Sequence, residues 1–213
     1  MAACVPPRPA GGTSRAGTVG RVPEAEDQDG RPEDDIDDQD LVVAAQEGSV
    51  AAFEVLFRRY RGRVYALALR MTGQPSDAED VAQDCFITAW RKLDDLENPG
   101  AVRTWLYRIA TTTALATIRR RKRSVPVPDE ALDQERSEDA GPPVRAELTH
   151  RLAALQRALL SLPARQRAVW LLVETEGLSY QDAGLALGSS PDVVRGLLFR
   201  ARSRLAEVMA EWR

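Results

Sequence analysis

The sequence predicts an all-α protein made of two helical domains joined by a flexible linker. Apolar residues recur at intervals of three and four through residues 40–123 and 147–213, which is the period of an α-helix. No segment of the chain stands out as the alternation of apolar and polar residues that indicates a β-strand. Residues 124–146 are acidic and contain four prolines, so they predict a linker and not a core.

The N-terminal residues 1–39 precede the first helical pattern. They are rich in Pro, Gly, Asp and Glu and show almost no apolar periodicity. A segment of this composition cannot bury enough apolar surface to offset the entropy lost on ordering. We therefore expect a disordered acidic tail.

The first helical region covers residues 40–123. Helical spacing begins at Asp40, and a turn at residues 73–75 interrupts it. Ser76-Asp77-Ala78-Glu79 then has the form of a capping box, which predicts the start of a helix with one apolar face. The opposite side of that helix carries Asp80, Gln83 and Asp84.

A further helix is predicted after the loop Asn98-Pro99-Gly100. It begins at about Val102 and runs into a cluster of five basic residues at positions 119–123. A basic cluster of this kind is typical of a surface that contacts phosphates.

The second helical region, residues 147–213, ends in the pattern of a helix-turn-helix. Its first short helix follows Ser179, an expected N-cap, and stops at Gly188. The second helix has Ser190 as its expected N-cap and Pro191 in the first helical position. Two helices joined by a glycine-containing turn, the second of them basic, favour a nucleic-acid partner, because such a helix fits the major groove.

The last helix is predicted to have one buried and one exposed face. At 100° per residue, a stripe from Val194 to Val208 turns toward the core. The residues on the opposite side, where a groove could lie, are Arg195, Gly196, Phe199, Arg200 and Ser203. A solvated basic face on an ordinary core helix is the alternative, because short motifs also match by chance.

The charges along the chain form four alternating blocks. The net charge is −3, yet residues 41–123 carry 14 basic and 9 acidic groups, and residues 148–213 carry 9 and 6. Residues 1–40 carry 4 basic and 10 acidic groups, and residues 124–147 carry 2 and 7. Two basic domains separated by an acidic linker indicate two modules that face nucleic acid.

The composition also disfavours several classes of function. No apolar run approaches the roughly 18 residues of a membrane span, and three prolines lie within the first nine residues, where a signal peptide would need an apolar stretch. We therefore expect a cytoplasmic protein without membrane insertion. Cys4, Cys85 and the single histidine, His150, form no disulfide framework or metal site, and no catalytic constellation is recognisable. We expect no metal, no cofactor and no enzymatic activity.

The motifs of both regions resemble those of bacterial RNA polymerase sigma factors of the extracytoplasmic-function (ECF) type, group 4 of the sigma-70 family. In the second region the matching motifs are LPARQR at residues 162–167, EGLSY at 176–180 and LFRAR at 198–202. In the first region they are Ala52-Phe53 through Tyr60, DAEDV at 77–81 with Gln83 and Phe86, and WLYRIA at 105–110. Several motifs in one order make this resemblance more specific than a lone helix-turn-helix.

The resemblance implies a dissociable subunit that binds RNA polymerase core at the β′ clamp and the β flap, and that binds promoter DNA. The first domain would hold the clamp through Asp80, Gln83 and Asp84, and it would open the −10 element. The second, helix-turn-helix domain would read the −35 element through the exposed side of its last helix. An anti-sigma factor is the expected inhibitor, and polymerase itself supplies the chemistry.

Opening the −10 element requires contacts to unstacked bases and to phosphates. By resemblance, the residues that would supply them are Arg103, Tyr107, Arg108, Thr112, Arg119 and Arg120.

The chain departs from the usual pattern of such sigma factors at several positions. Thr112 stands where Asn is common, Ala116 where Asp is common and Val102 where an aromatic residue is common. In the last helix, Gly196-Leu197 replaces the usual Ser-Arg pair, which removes an expected phosphate contact. We therefore expect an atypical −35 sequence or a weak −35 contribution.

Two other functions remain open from the sequence. The first is a stand-alone helix-turn-helix regulator that does not join polymerase, for which changing Asp80, Gln83 and Asp84 would have no effect. The second is a degenerate sigma-like interaction module that titrates an inhibitor or the polymerase, which promoter-specific binding would exclude.

Overall fold

The computed structural model describes residues 36–124 and 153–210, and no β-strand occurs within these two ranges. The prediction of an all-α protein is confirmed. The described residues from Asp38 onward belong to one compact unit. The expected tail before residue 36, most of the expected linker, Cys4 and His150 lie outside the described residues.

The first two helices form an antiparallel pair at the start of the N-terminal domain. Helix α1 spans Asp38–Gln46, two residues earlier than the sequence predicts, and α2 spans Val50–Thr72. The Ser49 hydroxyl caps α2 by accepting a hydrogen bond from the Ala52 backbone N–H at 3.2 Å. The Asp38 carboxylate accepts hydrogen bonds from side chains of α2, which fixes the beginning of α1 against that helix.

Helix α3 spans Pro75–Lys92 and begins earlier than the predicted capping box. Gln74 occupies the N-cap position without a side-chain cap, and its carbonyl accepts the first helical hydrogen bond, from Ala78 at 3.0 Å. The prediction of Ser76 as N-cap is wrong, because Pro75 lacks an N–H and suits the first helical position. The apolar face is placed as predicted, with Ala78, Val81, Cys85, Phe86, Ala89 and Trp90 buried.

Helix α4 spans Val102–Ser124 and packs against both α2 and α3. Two short 3-10 turns, Leu93–Asp95 and Pro99–Ala101, connect it to α3. At 23 residues α4 is about 34 Å long, and it is the helix that carries the predicted −10 residues.

The described part of the C-terminal domain, residues 153–210, contains four helices. Helix α5 is described over residues 153–160, and α6 spans Ala164–Trp170 before a single π-helical turn at Leu171–Thr175. Helix α7, Tyr180–Leu187, and helix α8, Pro191–Ala210, form the helix-turn-helix. Both α6 and α7 pack against α8.

The predicted boundaries of the helix-turn-helix are confirmed. The Ser179 hydroxyl accepts a hydrogen bond from the Asp182 N–H at 3.0 Å, and Gly188 ends α7 in the left-handed conformation. The Ser190 hydroxyl accepts from the Val193 N–H at 3.4 Å at the start of α8. Each boundary therefore depends on a local signal of a few residues. Among the described residues, no helix has the length and apolar character needed to span a bilayer.

Candidate nucleic-acid and partner-binding surfaces

Helix α3 presents a polar face away from the core. Asp80, Gln83 and Asp84 are all exposed, on the side opposite the buried stripe of the helix. Residues at spacings of three and four lie next to each other on a helix surface, so two carboxylates and an amide form one acidic patch. Such a patch complements a basic partner surface.

Helix α8 presents a basic and aromatic face. Val194, Leu198, Ala201 and Leu205 are buried as predicted. The predicted groove residues Arg195, Phe199, Arg200 and Ser203 are exposed, and Gly196 is half-buried. Phe199 is 70% exposed, which is unusual for a phenylalanine that has no partner surface to cover it.

Side chains near the start of α8 hold Arg195 in place. Its guanidinium donates to Asp192 at 2.6 Å and lies 5.9 Å from the centre of the Tyr180 ring. These contacts limit the rotamers that the arginine adopts and so reduce the entropy lost when it binds.

The two glycines of the helix-turn-helix have different surroundings. A Cβ atom on Gly184 would lie 2.7 Å from the Ser189 backbone oxygen, so this position accepts only glycine without a backbone shift. A Cβ atom on Gly196 would meet only the Arg200 guanidinium, at 3.7 Å. Packing therefore explains Gly184, whereas nothing in the structure requires Gly196.

The predicted −10 residues on α4 have different degrees of exposure. Arg108, Thr112, Arg119 and Arg120 are exposed, whereas Arg103 is half-buried. Tyr107 is fully buried, at 0% exposure, so its ring cannot stack on a base in this arrangement. The physical reason is that the C-terminal domain covers this part of α4.

One residue of the C-terminal domain, Glu176, contacts both covered side chains. The Tyr107 hydroxyl donates to the Glu176 carboxylate, and the Arg103 guanidinium donates to the Glu176 backbone oxygen. Arg103 also lies 5.8 Å from the centre of the Tyr107 ring. Burial raises the pKa of Tyr107 to about 12, and the hydrogen bond to Glu176 acts in the same direction, so the hydroxyl stays protonated at neutral pH.

Arg167 is a buried cation in the middle of α6, at 7% exposure. Its guanidinium donates to the backbone oxygens of Leu159, Leu160 and Leu162 at 2.8–3.0 Å, and to the Met71 oxygen at the end of α2. Burial lowers the pKa of Arg167 to about 10, so it remains charged at neutral pH. Arg167 was predicted only as part of the LPARQR motif, and its position beside Arg165 and Gln166 gives no sequence signal that it is buried.

A cavity of about 290 Å³ lies between α4 and the C-terminal domain. Two arginines and several apolar residues line it, and the full set is Thr112, Leu115, Arg119, Ala164, Arg165, Ala186 and Leu187.

Comparisons with known proteins agree with this division of the chain. Residues 56–124 match the family model of Sigma-70 region 2, and residues 152–205 match that of Sigma-70 region 4. The first match contains α3 and α4, and the second contains the helix-turn-helix.

Relatives of known sequence and structure extend over most of the chain. It is 36% identical over 170 residues to the ECF RNA polymerase sigma factor SigE of Mycolicibacterium smegmatis, covering 79% of this chain and 66% of the relative. It is 35% identical over 180 residues to the RNA polymerase sigma-H factor of Pseudomonas aeruginosa, covering 81% of this chain and 93% of the relative. The solved complex of the sigma factor RpoE with the anti-sigma factor NepR from Bartonella quintana contains a similar chain, with a TM-score of 0.62 and 26% identity over 77% of this chain and 100% of that one.

Proposed function

The chain belongs to the ECF type of the sigma-70 family of RNA polymerase sigma factors, and we propose that its two domains bind polymerase core and promoter DNA through the surfaces described above. In this role the chain directs promoter recognition, DNA melting and transcription initiation. Polymerase carries out the synthesis of RNA, and the chain is a binding and positioning subunit.

The observation that carries this proposal is the pairing of two exposed surfaces of opposite charge on separate domains. The acidic patch of α3 lies in the part that matches Sigma-70 region 2, and the basic face of α8 lies in the part that matches Sigma-70 region 4. Phosphates repel the acidic patch, so it suits a basic protein partner and not DNA.

The acidic patch, Asp80, Gln83 and Asp84, binds the β′ clamp of polymerase. Exposed carboxylates on a rigid helix attract a basic partner surface, and they speed the encounter at low ionic strength. The second domain contacts the β flap, so the two contacts together place the chain across the polymerase surface.

The −10 element is opened on α4. The exposed Arg108, Arg119 and Arg120 neutralise phosphates of the separated strands, and Thr112 lies on the same helix to contact a base. Arg103 and Tyr107 complete this surface once the C-terminal domain moves away from α4.

The −35 element is read by α8. Arg195 and Arg200 contact guanine edges or phosphates, and Phe199 makes apolar contact with a thymine methyl group. Ser203 contacts the backbone one turn further along. Gly196 presents no side chain to the groove, so the −35 contribution is weaker than a Ser-Arg pair would provide.

An anti-sigma factor is the third partner of the chain. The Bartonella quintana relative is solved in complex with such a protein. A protein of this kind that covers the α3 patch and the α8 face together would keep the chain from polymerase and from DNA.

The test is transcription from genomic DNA by core polymerase free of other sigma factors, with and without the purified chain. We expect new, defined transcription starts that share upstream elements. Stable core binding without any starts would instead favour the titrating module. The absence of both starts and core binding would favour a stand-alone regulator.

A further inference from the structure

The cavity between α4 and the C-terminal domain has the size of a small-molecule site, and no function proposed above occupies it. Its volume of about 290 Å³ lies close to the lower end of the range in which proteins bind small organic molecules. Side chains of α4, α6 and α7 all line it. The chemistry of these side chains indicates what kind of molecule would fit.

Two arginines from separate helices bring positive charge to the cavity. Arg119 belongs to α4 and Arg165 to α6, and both are exposed, so the cavity is accessible from solvent. On α6, Arg165 and Arg167 lie two residues apart and therefore about 200° apart around the helix axis. Arg167 points into the core as a result, whereas Arg165 lines the cavity.

Neither of the two cavity arginines is neutralised by a neighbouring carboxylate. Arg165 donates to the Ser189 hydroxyl at 2.8 Å, and the Arg119 Nε donates to the Leu115 backbone oxygen at 3.3 Å. Within residues 36–124 and 153–210, neither guanidinium takes part in an ion pair. Because a guanidinium has five N–H donors, most of the donors of each arginine are available to an anion.

The end of α4 adds further cations beside Arg119. A second hollow, of about 390 Å³, is lined by Ala116, Arg119, Lys122 and Arg123. Arg119 belongs to both walls, so the hollow adjoins the cavity. Cations on both sides of Arg119 favour a phosphate group over a carboxylate, because a phosphate monoester carries nearly two negative charges at neutral pH and offers three acceptor oxygens.

Most of the remaining cavity wall is apolar. Four of the seven lining residues are Leu115, Ala164, Ala186 and Leu187. A DNA backbone would account for the arginines, yet it leaves this apolar wall in contact with water. A hydrocarbon or aromatic group that covers the wall gains the free energy of removing apolar surface from water. The cavity therefore suits a molecule that has one phosphate end and one apolar end.

We propose that this cavity binds a small organic phosphate, with the phosphate group at Arg119 and Arg165 and a wholly apolar body against Leu115 and Leu187. The Thr112 hydroxyl lines the same cavity and supplies a further hydrogen-bond donor. Because the ligand contacts α4 and the two helices α6 and α7 together, it binds only while they are packed, and it stabilises that packing. The site lies beyond the proposed function and does not depend on it.

The test is a titration of the full chain with phenyl phosphate, followed by phosphorus NMR in a buffer without phosphate. Inorganic phosphate is titrated in parallel and serves as the ligand without a body. We expect saturable binding of one phenyl phosphate per chain, at least roughly tenfold tighter than inorganic phosphate, because the ring covers the apolar wall. Adenosine monophosphate should bind less tightly than phenyl phosphate, since its sugar and base carry polar atoms that an apolar wall leaves without partners.

Two variants separate the phosphate end of the site from its apolar end. Arg165→Met should weaken the binding of phenyl phosphate and of inorganic phosphate alike, by roughly tenfold, because it removes charge-assisted hydrogen bonds to the phosphate. Leu115→Ala should weaken the binding of phenyl phosphate alone. Thermal unfolding of each variant verifies that it is folded at the temperature of the titration.

Arg204→Met is the matched control for Arg165→Met. It removes the same charge from an exposed position on α8 that does not line the cavity, so the affinity for phenyl phosphate should stay unchanged. Because Arg165 lies outside the basic cluster at the end of α4, dependence on Arg165 distinguishes the cavity from a general attraction of anions to that cluster.

Any of four results would overturn the proposal. The first is the absence of saturable binding of phenyl phosphate, and the second is equal affinity for phenyl phosphate and inorganic phosphate. The third is an equal loss of affinity in Arg165→Met and Arg204→Met, which would mean that only net charge attracts the ligand. The fourth is tighter binding of adenosine monophosphate than of phenyl phosphate, which would refute the wholly apolar body. All of these titrations use the free chain, so their failure leaves the proposed sigma function untouched, and transcription assays test that function separately.

Discussion

The Tyr107 hydroxyl donates a hydrogen bond to the Glu176 carboxylate, which joins α4 of the N-terminal domain to the turn that precedes the helix-turn-helix. The tyrosine is completely buried. A residue that the family resemblance assigns to DNA opening thus also holds the two domains together. Under the proposed function, the C-terminal domain and the melted promoter would compete for this surface of α4.

The acidic patch of α3 gives the first prediction. The double variant Asp80→Asn/Asp84→Asn keeps the shape of both side chains and removes two charges. We expect weaker binding to polymerase core, by roughly tenfold or more at low salt, because charged pairs at an interface contribute both rate and affinity. Titration of core polymerase with a fluorescently labelled chain measures this.

The matched control for the patch is Glu47→Gln/Glu54→Gln, which removes two exposed carboxylates outside α3. It should bind core polymerase as the unaltered chain does. An equal loss of affinity for core polymerase in both double variants would show that net charge, and not the patch, determines binding.

The second prediction contrasts two glycines of the helix-turn-helix. Gly196→Ala should raise the free energy of unfolding by about 0.5–1 kcal/mol, because alanine favours the helix and the space is open. Gly184→Ala should lower it by roughly 1–3 kcal/mol, because the new methyl group would press on the Ser189 backbone. Urea unfolding followed by circular dichroism measures both, and changes of the same sign would contradict the packing argument.

The third prediction concerns Leu197, which stands where such sigma factors usually carry arginine. Leu197→Arg should strengthen promoter binding and should steepen its dependence on salt by about one unit, as expected for one added phosphate contact. Ala206→Arg adds the same charge about two and a half turns further along α8 and serves as the control. An ordinary −35 footprint in the unaltered chain, abolished by Arg200→Ala, would contradict the expected weak −35 contribution.

The fourth prediction concerns the buried cation Arg167. Arg167→Met removes a side-chain hydrogen bond from each of four carbonyl oxygens and should destabilise the chain by roughly 3 kcal/mol or more. Arg167→Lys should recover only part of this, because one ammonium group cannot reproduce the planar fork of the guanidinium. Thermal unfolding of the variants provides the comparison.

Arg165→Met is the control for Arg167, two residues earlier on the same helix. Arg165 is exposed and donates to Ser189 at 2.8 Å, so we expect a loss of stability below about 1 kcal/mol. Similar losses of stability for Arg165→Met and Arg167→Met would mean that the burial of Arg167 does not cause the loss seen in Arg167→Met.

The fifth prediction uses the buried thiol of Cys85. Burial raises its pKa to about 12, whereas an unfolded cysteine has a pKa of about 8.5. Because the unfolded chain releases this proton first, the contribution of Cys85 to stability is intact below about pH 8.5 and is lost as the pH rises toward 12. In a Cys4→Ser background, a thiol reagent at pH 8.5 should label the chain only after urea is added. Rapid labelling of the native chain would show that the thiol is accessible.

The helix boundaries of the C-terminal domain follow from short segments of sequence. Ser179, Gly188 and Pro191 act within one helical turn of their own positions, so the residue type alone carries the information. The start of α3 shows the limit of such signals. Pro75 and Ser76 both favour a helix start, and the helix begins at Pro75. The exposed and buried faces of α3 and α8 were predictable for the same reason, since a helix repeats every 3.6 residues.

The contact between the domains could not be read from the sequence. Tyr107 and Arg167 meet their partners 69 and 96 residues away, and no local rule relates such distant positions. Helix α4 is apolar on the side that meets α2 and α3, and the helical period of its apolar residues explains that side. The same period gave no reason to expect a second contact surface on this helix. The sequence by itself determined the helices, their faces and the sigma family. Only the tertiary structure decided which polar side chains are covered, because burial depends on where the second domain lies.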